Sequence, residues 1–158
     1  MKQLIYRRDG GEVFPDVDAA NIVYCGCAGD LAPLIPPLKS YFGRLGVWKM
    51  SLKLVSGRRS FYGVFADGQL LHYGWVSFGF CKYYDVEKES AVIGPIWTSE
   101  SARGKGLATA ALKRVVNLIS AKGCQAIYID TTEDNIACQR VIAKCGFVHA
   151  SSYVRSHI

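Results

Sequence analysis

The chain has 158 residues, half of them apolar and a fifth charged, with a formal net charge of +6. That length is most simply one domain spanning residues 1–158, large enough to bury a core without staples, and the composition argues against a disordered chain. The basic residues fall in short clusters, Arg7-Arg8, Arg58-Arg59 and Lys113-Arg114, rather than on one arm or stripe. The charge therefore suits an anionic small ligand better than a specific nucleic acid. Six cysteines lack the paired spacing of a zinc site, and the opening residues Met1 to Arg8 carry no long apolar segment followed by a cleavage site. Reduced thiols, no metal and a cytoplasmic location are expected. No apolar run reaches the ~20 residues that span a bilayer, so no membrane partner is expected either.

In chain order, Lys2 to Arg7 alternates weakly and predicts an opening strand, ended by a turn at Asp9-Gly10-Gly11. The next forty or so residues carry Pro15, Pro33, Pro36 and Pro37, which are expected to interrupt any long helix. Short helices are predicted at Asp30 to Ile35 and at Leu45 to Val55. Tyr41, Phe42, Arg44 and Trp48 lie in this region as candidates for substrate contact, with core packing the alternative for the aromatics.

From Ser60 the pattern becomes strand-like. Ser60 to Phe65 and Gln69 to Phe80 flank Ala66-Asp67-Gly68, and Asp-Gly between such runs signals a hairpin. A further strand, Ser90 to Thr98, follows the polar segment Lys82 to Glu89. Pro95 cannot donate to a ladder, so Gly94-Pro95 predicts a bulge that leaves backbone groups free for a ligand.

The stretch from Ile93 to Ala108 then breaks into a Gly-rich turn and opens a helix over Gly106 to Ala121, with Leu107, Ala111, Val115 and Ile119 on one stripe. A helix start leaves N–H groups unpaired and carries partial positive charge, which suits phosphate. Arg103 and Lys105 add full charge, while Gly104 and Gly106 permit close approach of the backbone. A strand over Gln125 to Thr131 completes a βαβ-type unit. A second helix enters with Asp134 or Asn135 at its cap and stops at Cys145-Gly146, and Phe147 to Arg155 returns as a strand.

Arg103-x-x-Gly106-x-Ala108 resembles the pyrophosphate-gripping signature of the GNAT superfamily of N-acetyltransferases, and Asn135 with Lys144, Gly146 and Phe147 resembles a second element of that family. The resemblance covers about Ser90 to Arg155. It implies an α/β (α+β) GNAT-like domain with a central, mixed, mostly antiparallel sheet, flanked by helices and splayed at the cofactor site. It also implies acetyl-CoA as acyl donor, held by the backbone of Ile96, Trp97 and Thr98, by Arg103, Gly104, Lys105, Gly106, Leu107 and Ala108, and by Asn135.

The same resemblance implies direct transfer of acetyl to an amine, with a Thr98 N–H as candidate oxyanion donor. Many members place an acidic Tyr seven positions after the Asn, but here that position is Ile142, which cannot donate a proton. Cys138, three positions after Asn135, stands where a variant of the family has Ser, and is the candidate acid; the alternative is a small residue packed against the cofactor. Asp130 occupies the position of a Glu general base and is the candidate base; the alternative is a strand-end residue capping the next turn. His72, Glu89 and Tyr153 are base candidates without motif support, and His149 and His157 read as ordinary polar positions. The expected acceptor is a small-molecule amine or a peptide N-terminus, and a monomer or homodimer is expected. The rival function is a GNAT-like domain that binds coenzyme A without catalysis.

Overall fold

The computed structural model describes residues 1–15 and 22–155, so His157 lies outside the described residues. The chain forms strands β1 Lys2–Asp9, β2 Ile22–Cys25, β3 Arg59–Ala66, β4 Gln69–Phe78, β5 Ser90–Thr98, β6 Ala126–Thr132 and β7 Val148–Val154, with helices α1 Ile35–Val55, α2 Leu107–Ala121 and α3 Ile136–Lys144. One sheet holds all seven strands in the order β2-β3-β4-β5-β6-β1-β7. Only β5 and β6 are parallel; every other neighbouring pair is antiparallel. The parallel pair is joined through α2, as a crossover connection requires.

Two apolar layers sandwich the sheet, because successive side chains of a strand face opposite sides. Tyr62, Val76 and Ile93 face α2 and α3, where Leu112, Val115, Val116, Ile119 and Ile142 are fully buried. Each such Val, Leu or Ile contributes about 1.5–3 kcal/mol of burial. Phe61 and Trp75 face the other way, against Leu38, Met50 and Leu54 of α1.

The prolines act differently from expectation. Pro36 and Pro37 stand in the first turn of α1, where an N–H needs no helical acceptor, so they start the helix rather than break it. The break comes at Gly43, whose φ of 75° and ψ of 173° kink α1 between two helical halves. Ala28–Leu34 is a 3-10 helix leading into it. Strand β2 has no counterpart among the sequence expectations, and β1 lies between β6 and β7 as an interior strand. Among the described residues no helix is long and apolar enough to cross a membrane.

Candidate active site

The site begins where the sheet opens. Strand β5 pairs with β6 only from Ser90 to Ile93, against Ala126 to Ile129. On its other side β5 continues along β4, with Ile96 opposite Gly74, Trp97 opposite Tyr73 and Thr98 opposite His72. Between the two regimes the register shifts, Gly94 and Pro95 together spanning the place of Trp75, which is the bulge that Pro95 predicts. The N–H of Ser99 donates to Leu71 O at 2.8 Å. Backbone groups alternate along a strand, so Trp97 also turns towards β4, while Ile96 and Thr98 direct N–H and C=O into the gap left by β6. Arg103 uses one of these acceptors, donating from Nε to Thr98 O at 3.1 Å.

The helix start faces the same gap. Gly104 and Gly106 have φ of 74° and 76°, a left-handed conformation that costs other residues roughly 1–2 kcal/mol. The N–H of Ala110 reaches Gly106 O at 3.0 Å, the opening bond of α2. Leu107, Ala108 and Thr109 therefore present N–H groups without helical acceptors, and no acidic residue occupies the first turn. An anion seated here meets these donors, the positive end of α2 and Arg103.

A cleft of about 670 Å³ joins these features. It is lined by Ile96, Trp97, Thr98, Arg103, Gly104, Gly106, Leu107 and Ala108, and, from the next helix, Asn135 and Cys138. Lys105 is exposed and does not line it. Arg140 and Lys144 do, adding two cations that sequence reasoning did not assign to the site. Their signal was present as spacing: four residues apart, they share one face of α3.

A second cavity, of about 510 Å³, meets the first at Ile96, Asn135 and Cys138, which line both. Asp130 lines it from β6, past the point where β6 leaves β5. Burial raises its carboxyl above the ordinary range, an effect opposed by the Tyr153 hydroxyl, which donates to Asp130 Oδ2 at 3.1 Å, and by the charge of Arg155. The side-chain hydrogen bond at Asp130 thus comes from β7 rather than from the following turn. Asn135 is the α3 cap, its Oδ1 accepting from the Cys138 N–H at 3.1 Å.

Burial likewise raises the Cys138 thiol, with the Asp130 charge adding to it and a Thr131 hydrogen bond opposing. Such a thiol stays protonated at neutral pH, which suits it to give a proton rather than to act as a nucleophile. Cys138 also packs against the core cluster while forming part of the cleft wall.

The remaining candidates separate cleanly. His72 is wholly buried, its Nδ1 within 2.8 Å of Thr98 Oγ1 and its pKa lowered to about 4 by burial, and it lines neither cavity. Glu89 is exposed and outside both, as is His149, which packs edge-on against Tyr6. Tyr153 touches Asp130. Tyr41 and Phe42 pack against Tyr73, and Tyr41 also against Trp97, while Arg44 and Trp48 are exposed; none of the four lines either cavity.

A mixed sheet splayed over a Gly-rich helix entry, with a second cavity opening into the same gap, defines an α/β domain built around a cofactor-sized cleft. A family model described as the acetyltransferase (GNAT) family matches residues 36–147, and the chain belongs to that family. Solved structures agree on the fold. An acetyltransferase of the GNAT family from Colwellia psychrerythraea is 20% identical, with a TM-score of 0.66 over 94% of this chain and 53% of that one. One from Novosphingobium aromaticivorans is 21% identical, with a TM-score of 0.62 over 96% of this chain and 60% of that one. An aminoglycoside N-acetyltransferase in complex with coenzyme A is 16% identical, with a TM-score of 0.64 over 87% of this chain and 98% of that one. The chain thus spans little more than half the length of the first two. No curated protein sequence matches it.

Proposed function

We propose that the protein transfers acetyl from acetyl-coenzyme A to an amine bound in the second cavity. The observation that carries this reading is the juxtaposition in one cleft of outward-facing backbone on β5 with the open, cation-flanked start of α2. That donor set fits coenzyme A: Ile96 and Thr98 offer a strand edge to an amide-bearing arm, and Leu107, Ala108, Arg103, Arg140 and Lys144 offer donors and charge to phosphates. Acetyl-coenzyme A, when bound, supplies the acetyl group as a thioester.

Asp130 takes one proton from the acceptor's ammonium group and passes it to solvent, leaving a neutral amine. The amine nitrogen bonds to the carbonyl carbon as the carbon–sulfur bond breaks. The Ile96 and Thr98 N–H groups, turned away from β4, would serve as donors to the carbonyl oxygen as negative charge gathers on it. Cys138 gives its proton to the departing sulfur and regains one from the new amide nitrogen, so one proton is released per turnover. Positioning across the shared wall of Ile96, Asn135 and Cys138 supplies the rest.

The test combines two measurements on the whole chain. Coenzyme A at about a hundredfold over Kd should stabilise the fold by about 2.7 kcal/mol in a thermal melt, and acetyl-coenzyme A should release thiol when amines are added. Stabilisation without thiol release on any amine would instead establish a binding domain, and no stabilisation would remove the cleft assignment.

A further inference from the structure

Resting on that reading, we infer that the acceptor is an amine that also carries an anionic group, a carboxylate or phosphate, seated by Lys53 and Arg59. Aminoglycosides, named as substrates of several structural neighbours, carry several ammonium groups instead. The second cavity is lined by four cations, Lys53, Arg59, Lys82 and Arg155, against the single carboxylate of Asp130. They come from α1, β3, the loop after β4 and the residue after β7, and the fold gathers them on one wall system.

Among the described residues none of the four forms an ion pair. The one ion pair among the described residues joins Arg7 to Asp9, on another part of the surface. Aromatic faces hold the cations in place: Lys53 Nζ lies 5.0 Å from the Trp75 ring centre, the Arg59 guanidinium 5.2 Å from that of Phe80, and Arg155 4.4 Å from that of Tyr83. Such contacts orient a cation and leave its charge and its N–H donors available.

Lys82 Nζ lies 5.6 Å from the Tyr83 ring centre, and the other three divide by what they face. Arg155 donates to the Tyr83 hydroxyl, and its charge acts on Asp130, so it belongs with the base. Among the described residues Lys53 and Arg59 have no such counterpart; each repels the other, a crowding that an anion relieves. Ser77, which also lines the cavity, adds a hydroxyl near this end. An acceptor with its ammonium at Asp130 and its anion at Lys53 and Arg59 satisfies both ends, and its middle meets Trp75 and Phe80. A polycation meets four like charges and one carboxylate.

The experiment uses the whole chain saturated with acetyl-coenzyme A and matched amine triplets of increasing length, each ending in a carboxylate, a carboxamide or a second ammonium. para-(Aminomethyl)benzoate, its amide and para-xylylenediamine form one such set. The carboxylate member is expected to lead its triplet in kcat/KM by about tenfold, and in Arg59→Ala that lead should shrink about tenfold, with partial return in Arg59→Lys. Equal rates across a triplet, or a lead for the diamine, would overturn the assignment while leaving acetyl transfer standing. Should no amine release thiol, transfer itself fails, and the charge preference is read by calorimetry on the coenzyme A complex: tighter binding of the carboxylate members upholds it, and equal or weaker binding ends it.

Discussion

The Tyr153 hydroxyl donates to the Asp130 carboxylate at 3.1 Å, tying β7 across the intervening β1 to the end of β6 that lies beyond its pairing with β5. This bond holds as a carboxylate a group that burial presses towards its neutral form. A folded-state pKa raised above the unfolded value means that the native chain binds more protons between the two values. Stability from this group is then full below the unfolded carboxylate pKa and falls as pH rises through the folded one. Asp130→Asn is therefore expected to melt higher than the parent at pH 7, the gap closing below about pH 4. Tyr153→Phe should move the acidic limb of kcat/KM to higher pH. A Tyr153→Phe profile superimposable on the parent's would separate Tyr153 from the chemistry.

Cys138 is expected to matter in kcat rather than in coenzyme A affinity. Its thiol is kept protonated by burial, and loss of a positioned general acid costs about a hundredfold or more. Cys138→Ala should lower kcat by that order, while coenzyme A binding, measured by calorimetry, stays within a few-fold. If kcat holds and only affinity falls, the residue is a packing contact. The raised pKa also predicts slow alkylation at pH 7, accelerating with pH and blocked by coenzyme A.

How much of this was legible in the chain depends on how local each signal is. The path from β5 through the Gly-rich turn to α2, and the Asn135-capped α3, are carried by contiguous residues, so spacing exposes them. The position of β1 is not: its partners Thr132 and Val154 lie over a hundred residues away, and nothing in Lys2–Asp9 names them. Strand β2, four residues long with no alternation to count, gave no periodic signal. Pro36 and Pro37 misled because a proline that starts a helix looks the same in sequence as one that stops it. The second cavity was least legible of all, since Lys53, Arg59, Lys82 and Arg155 are scattered and only the closed fold brings them together.

Arg103 has two attachments, one to Thr98 O and one to the cleft it lines. Its bond to the backbone is exposed, so Arg103→Ala is expected to cost at most about 1 kcal/mol of stability but to weaken coenzyme A about tenfold or more and to flatten the salt dependence of binding. Gly104→Ala isolates the backbone contribution. A Cβ there meets no atom within 4 Å, yet φ is +74°, so the cost is conformational and the turn should shift rather than clash. Affinity titrations at two salt concentrations decide the matter: an Arg103→Ala affinity equal to the parent's at both would dissociate the residue from phosphate.

His72 supplies the opposite pH signature to Asp130 and lets the two be told apart. It is enclosed between the Thr98 hydroxyl, at 2.8 Å from Nδ1, and the Tyr62 hydroxyl, at 3.4 Å from Nε2, with its pKa lowered to about 4 by burial. A histidine whose folded pKa lies below its unfolded value of about 6.5 favours folding fully above that value, and the contribution is lost as pH falls through about 4. The linked loss is of order 3 kcal/mol, so the parent should weaken between pH 6.5 and pH 4 while His72→Gln, measured by denaturant titration at each pH, shows a shallower slope there. Because Thr98 lines the cleft and His72 holds its hydroxyl from behind, His72→Gln should also raise KM for acetyl-coenzyme A more than it lowers kcat. A matching slope in parent and variant would mean that His72 is not the group whose burial makes the fold acid-sensitive.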